Sequence, residues 1–186
     1  MASLALDPAY RRVEVDEFLL MDFGGARAEL EDGIIFMMAG GTVAHARLAA
    51  RIIRHLGNAL DGSGCEPFGS DFAVRTAERT IRYPDVSIFC GAPVDEDGQL
   101  AGDPRVVVEV LSPSTASHDQ KVKLVEYQAL AGIREILFVH PDEKWVRIVR
   151  RDGETSWSDR RLAADNILVL PSVGASLPLS LVFGGD

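Results

Sequence analysis

Lysine is scarce in this sequence: Lys121, Lys123 and Lys144 are the only three, so the other 16 of its 19 basic residues are arginines. With a net charge of −9, broad non-specific adhesion to a polyanion is disfavoured, because that affinity comes mainly from cations neutralising phosphates. The arginines that remain suit local, bidentate contacts to phosphate or carboxylate. Cysteine is scarcer still. Cys65 and Cys90 stand far apart without CxxC spacing, which excludes a common zinc pattern and predicts two buried structural thiols rather than a disulfide. No apolar run approaches the roughly 20 residues needed to span a bilayer. The opening MASLALDPAYRR lacks the basic-then-apolar order of a secretory signal, so a cytoplasmic protein with no membrane partner is expected. Gly-x-Ser-x-Gly is absent, and Phe23-Gly24-Gly25 and Ala39-Gly40-Gly41 are too short for phosphate loops.

What is present fits a globular chain: 186 residues, 47% hydrophobic and 25% charged, enough for one core and one domain over residues 1–186. A short helix over Val15–Met21 precedes a hairpin, Ala28–Glu31 and Ile34–Met38, around Asp32-Gly33, a dipeptide that accepts the positive φ angles of a tight turn. Leu48, Ile52, Leu56 and Leu60 recur at helical spacing and predict an amphipathic helix over Ala44–Leu60. Extended runs follow at Glu66–Phe68, Asp71–Thr76 and Pro84–Cys90, expected in the middle of the sheet. Asp95-Glu96-Asp97-Gly98 reads as a surface loop. Arg105–Leu111 is apolar enough for a central strand buried on both faces. A helix over His118–Ala131, closed by Gly132, leads to strands at Glu135–Val139, Trp145–Arg150 and Thr155–Ser158. The fold class is therefore α+β.

Glu109 carries the most information. A carboxylate flanked by Val106, Val107, Val108, Val110 and Leu111 is costly to bury without a cation or donors to compensate it. Asp85 follows Pro84 at the start of another apolar strand, so neighbouring strands can offer both acids. Such a pair of hard oxygen donors suits magnesium or manganese. The plainer reading pairs Glu109 with an arginine and lets Asp85 cap a turn after proline.

Tyr83-Pro84-Asp85-Val86, then Val108-Glu109-Val110-Leu111-Ser112-Pro113-Ser114-Thr115, then Asp119, Lys123 and Tyr127 at four-residue steps before Ala131-Gly132-Ile133, together resemble the Uma-type family of putative restriction endonucleases, within the PD-(D/E)XK nuclease superfamily. Glu29-Leu30-Glu31-Asp32-Gly33-Ile34 and His45 extend the resemblance from about residue 13 to about residue 150. It implies a restriction-endonuclease-like core, a central mixed sheet flanked by helices, with the hairpin at its N-terminal side. It also implies Asp85, Glu109 and the Val110 backbone carbonyl as metal ligands, with Lys123 and Glu29 completing the catalytic set. In the wider superfamily a lysine stands two residues after the second acid; here that residue is Leu111, and the Uma-type pattern moves the lysine to the following helix. Helical spacing alone leaves Lys123 and Lys121 both eligible, and the resemblance selects Lys123. Glu29 is otherwise a solvated strand residue, and His45 a supporting or core histidine, as Tyr127 and Lys121 are supporting candidates.

The function these features imply is metal-dependent hydrolysis of nucleic-acid phosphodiesters, DNA before RNA, by an endonuclease working as a homodimer. The acidic net charge and Leu111 also fit a nuclease fold that no longer cuts and serves in binding or assembly, or a hydrolase of small phosphoesters. The C-terminal stretch from Asp165 to Asp186 is expected to cover the protein's own core before any subunit contact.

Overall fold

Asp32 and Gly33 adopt φ angles of 46° and 78°, the left-handed pair that matches the twist of a two-residue hairpin. Gly33 also lies so close to Arg12 that an added Cβ would meet the Arg12 Cβ at 2.7 Å. In a computed structural model, which describes residues 11–38, 40–91, 100–112 and 116–184, this turn joins β1 (Ala28–Glu31) to β2 (Ile34–Met37), after helix α1 (Val15–Leu19). Helix α2 (Val43–Leu60) begins where the Thr42 side chain accepts the His45 backbone N–H, and it buries Leu48, Ile52, Leu56 and Leu60. These are the positions that helical periodicity selects.

Strands β3 (Cys65–Gly69), β4 (Ala73–Ala77), β5 (Thr80–Arg82), β6 (Val86–Cys90), β7 (Leu100–Ala101) and β8 (Val106–Val110) follow. Then come α3 (Ala116–His118), a π-helical turn (Asp119–Lys123), α4 (Leu124–Ala129), β9 (Glu135–His140), β10 (Trp145–Arg151), β11 (Trp157–Ala163), β12 (Ile167–Leu170), β13 (Ala175–Pro178) and α5 (Leu179–Phe183). The larger sheet is mixed, in the order β11-β10-β9-β8-β6-β3, with β8 and β9 parallel. A second sheet runs β2-β1-β5-β4-β7, and β12 pairs with β13.

The valine-rich run forms β8, inside the larger sheet and buried at every residue. Val106, Val108 and Val110 join α2, β12, β13 and α5 in one apolar cluster; Val107 and Leu111 join Tyr127, Ile133 and Phe138 in another. Period-two alternation thus serves two cores from one strand. The C-terminal residues Leu168, Leu170, Leu177, Leu179 and Val182 lie in the first cluster, so that segment covers its own core.

Four expectations are corrected or fall outside the description. β3 is an edge strand and β4 belongs to the second sheet, so only β6 of the three extended runs is interior to the larger one. The helix expected over His118–Ala131 is divided by the π-helical turn and stops at Ala129. Gly132 has a different use: its N–H donates to Asp103 Oδ2 at 2.8 Å, and an added Cβ would meet the Asp103 side chain at 2.2 Å. The acidic loop at residues 95–98 and the Pro113-Ser114-Thr115 part of the family pattern lie outside the described residues.

The thiols are likewise corrected. Cys65 and Cys90 form a disulfide, because β3 and β6 pair antiparallel with these two residues directly opposite, Cα atoms 4.0 Å apart. Sequence spacing cannot reveal a pairing that depends on register. The bridge closes a loop with a sequence separation of 25, and constraining such a loop in the unfolded chain is worth about 3 kcal/mol. Reduction, or Cys90→Ser, is expected to lower the denaturant midpoint accordingly; an unchanged midpoint would show that the bridge adds nothing to the native fold.

Candidate active site

The register that sets Val86 against Val108 and Ser87 against Val107 makes Asp85 and Glu109 the next opposed pair. Both strands thus bring a carboxylate to the same end of the larger sheet. Asp85 is held in place from across the ladder: its Oδ2 accepts the Val110 backbone N–H at 2.7 Å and lies 3.1 Å from His45 Nε2. The cap at Thr42 sets the first turn of α2 and so carries His45 to this position.

Glu109 points into the second apolar cluster's side of the sheet, where Tyr127 of α4 donates its hydroxyl to Glu109 Oε1 at 2.6 Å. Lys123 Nζ donates to the same oxygen at 3.3 Å and to Glu29 Oε1 at 3.0 Å, with Asp119 Oδ1 at 3.4 Å. Asp119, Lys123 and Tyr127 are all buried on one stripe, across the junction of the π-helical turn and α4. π-Turns of this kind recur at functional sites. Lys121, by contrast, is exposed and away from the cluster.

Arg82, 1% exposed, closes the network from β5. Its guanidinium donates to Glu29 Oε2 at 3.0 Å, Glu31 Oε2 at 2.8 Å and Glu126 Oε1 at 2.6 Å. Neither Arg82 nor Glu126 was identified from the sequence, although a charged residue between Ile81 and Tyr83, three before Asp85, carries the same signal of costly burial as Glu109. The plainer readings give way at three points. Glu109 is partnered by Lys123 and Tyr127 rather than an arginine, Asp85 bonds across strands rather than capping a turn, and Glu29 is buried rather than solvated.

The electrostatics follow from burial and crowding. Burial pushes the Glu109 carboxyl up to about 8, against the pull of the Lys123 ammonium and helped by the Asp85, Asp119 and Glu29 charges. Burial alone would lower Lys123, but Glu109, Glu29 and Asp119 outweigh it and hold the ammonium firmly protonated. Glu29 goes the other way: burial opposes its ionisation, yet Lys123 and Arg82 hold its carboxyl below the ordinary value. His45 is raised, first by its hydrogen bond to Asp85. Tyr127 is raised well above the usual phenol by burial and the neighbouring Glu109 charge.

Among the described residues, no three His, Cys, Asp or Glu side chains converge in a ready-made metal cage. A magnesium-type ion does not require one, since it is commonly held by one or two carboxylates and keeps several waters. The opposed Asp85–Glu109 pair meets that requirement in donor chemistry. Leu111, 2% exposed, continues the Val107 face into the apolar core, so the cluster's ammonium comes from the helix instead of the strand.

Comparison with known proteins agrees with this architecture. The chain superimposes on a structure described as a putative nuclease belonging to DUF820 from Anabaena variabilis with a TM-score of 0.76 at 18% identity, covering 92% of this chain and 97% of that one. It thus has the restriction-endonuclease-like fold. Two uncharacterised Synechocystis proteins are similar in sequence: slr1290 is 29% identical over 84% of this chain and 83% of its own, and sll1609 27% identical over 75% and 81%. A family model covers residues 15–180, from α1 through the start of α5, and by that match the chain belongs to the Uma2 family, described as "Putative restriction endonuclease".

Proposed function

We propose that this protein is a Mg²⁺- or Mn²⁺-dependent endonuclease that hydrolyses nucleic-acid phosphodiesters, DNA in the first instance, as a homodimer. The observation that carries this reading is the opposed pair of carboxylates, Asp85 and Glu109, with a lysine ammonium 3.3 Å from Glu109. Asp85, Glu109 and the Val110 carbonyl would hold the ion. When bound, it would polarise the scissile phosphate and lower the pKa of a coordinated water.

The protein's own groups have separable tasks. The Val110 N–H and His45 fix Asp85, while Tyr127 and Lys123 fix one oxygen of Glu109. Because its carboxylate neighbours keep Lys123 protonated, it acts as a charged donor and not as a base. It orients the attacking water and stabilises negative charge growing on the phosphate, help of the kind worth a few kcal/mol. Water adds to phosphorus and gives its proton to solvent, and the ester oxygen leaves and takes a proton from solvent to become a hydroxyl. Glu29 and Asp119 position the lysine, and Arg82 positions Glu29.

Calorimetric titration with Mg²⁺ or Mn²⁺ on wild type and Glu109→Ala, with supercoiled-plasmid cleavage on the same samples, tests the reading. Wild type is expected to bind and cleave, and the variant to lose more than about 100-fold in metal affinity together with its cleavage. A wild type that binds no metal would sink the proposal and leave a non-catalytic binding or assembly module. Turnover of nucleotides without polymers would point to small phosphoesters instead.

A further inference from the structure

Strand β2 has the composition of a central strand and the position of an edge. Ile34, Ile35, Phe36 and Met37 are apolar on both faces, a pattern that belongs to strands covered on both sides. Yet β2 ends its sheet, paired to β1 alone among the described residues. Ile34, Phe36 and Met37 are 54%, 49% and 58% exposed, whereas Ile35 packs against a third apolar cluster, which includes Val15 and Phe18 of α1 and Leu30 of β1. No charged residue occurs from Gly33 to Ala44, and none of the usual guards of an open edge, a lysine or a proline, is on the strand.

We propose that β2 is the interface at which two copies of this chain pair, antiparallel across a two-fold axis. A second copy is the occupant that the charge pattern favours. Two chains of net charge −9 repel each other over most of their surfaces, and this uncharged stretch lets them approach without opposing like charges. Self-complementarity is then automatic, because the same patch meets itself.

The register is also specified. Met38 N–H donates to the Arg27 carbonyl, so by the alternation of an antiparallel ladder the N–H and C=O of Ile35 and Met37 face outward, away from β1. Centring the pairing on Phe36 joins Ile35 to the partner's Met37 reciprocally and sets the two Phe36 rings face to face. The resulting sheet is continuous through both copies.

The inference extends the homodimer of the proposed function but stands on β2 alone. If the nuclease reading holds, it gives that reading a geometry. The β1 strands carrying Glu29 would lie three strand spacings apart, roughly 14 Å, on either side of the two-fold axis.

Analytical ultracentrifugation of the full chain decides it. Wild type is expected to sediment as a dimer of the 20.2 kDa chain, and Phe36→Lys as a monomer with unchanged circular dichroism, its dimer dissociation constant raised at least about 100-fold. Phe36→Cys gives a second readout: mild oxidation should cross-link it into a covalent dimer, while Val125→Cys, exposed elsewhere, should not. A monomeric wild type, with the edge taken by another segment of its own chain, overturns the proposal. So does a Phe36→Lys variant that stays dimeric, or a Phe36→Cys variant that fails to cross-link. Each readout is independent of cleavage, so an inactive but β2-paired dimer would reject the nuclease reading and leave the interface intact.

Discussion

Replacing Arg82 with alanine is expected to cost about 3–5 kcal/mol of stability, the range for removing one partner of a buried ion network. The guanidinium is 1% exposed and ties β5 to two other elements through Glu29, Glu31 and Glu126: β1 supplies the first two and α4 the third. Without it, the buried Glu29 carboxylate keeps Lys123 but loses its second cation at a position water reaches poorly, while Glu31 and Glu126 are partly exposed. Arg82→Lys should recover only part of the loss, since a single ammonium cannot present the planar fork that serves three acceptors. Acid titration supplies an independent readout. Glu29 is held below its ordinary value by Lys123 and Arg82 against the effect of burial, so it adds stability above the ordinary carboxylate range, and that contribution is lost as pH falls through the lowered folded value. Removing Arg82 takes away one of these cations, so the Glu29 contribution shrinks and the stability difference between wild type and variant narrows in acid. Chemical denaturation across pH measures both effects; a loss under about 1 kcal/mol, constant with pH, would show that the network is not holding the fold together.

Elements with strong periodicity were legible from sequence, and elements defined by partnership were not. Leu48, Ile52, Leu56 and Leu60 repeat at four-residue steps, and α2 buries those four; the unbroken apolar run around Glu109 is a strand buried throughout. The short β5 was missed because three residues carry no readable period, and Arg82, the buried hub of the acidic cluster, was missed with it. The same limit applies to the cysteines, which meet only because β3 and β6 pair in one register. For the candidate site, Glu109 and Asp85 stand out as acids set in apolar strands, while Glu29, Lys123, His45 and Tyr127 are selected by resemblance to a family pattern. Their convergence from β1, α2, the residue preceding β6, β8, the π-helical turn and α4 is a tertiary fact. The choice between Lys121 and Lys123 turns on one such fact: which lysine the helix turns inward. The π-turn buries Lys123 among three acids and leaves Lys121 exposed.

Asp85→Ala is expected to abolish metal-dependent cleavage while leaving the protein folded. If Asp85 holds the ion as proposed, losing several kcal/mol of transition-state stabilisation corresponds to a rate loss of at least about 10³-fold. The structural cost is smaller, because Asp85 sits at the end of the sheet and its removal takes a partner from the Val110 N–H, worth about 1–3 kcal/mol, and from the half-buried His45 ring. Asp85→Asn separates the two effects: its amide oxygen can still accept that N–H, so stability should stay near wild type, whereas the missing negative charge should still remove cleavage. Lys123→Met completes the comparison. If the ammonium acts on the reacting phosphate, Lys123→Met should lower the rate with the metal titration largely retained; if it only separates buried acids, the fold should weaken and metal affinity change with it. Rates of plasmid nicking, denaturant midpoints and metal isotherms on the three variants resolve these outcomes. An Asp85→Asn protein that cleaves at the wild-type rate would remove Asp85 from the chemistry and leave it as the clamp that joins β6 to β8.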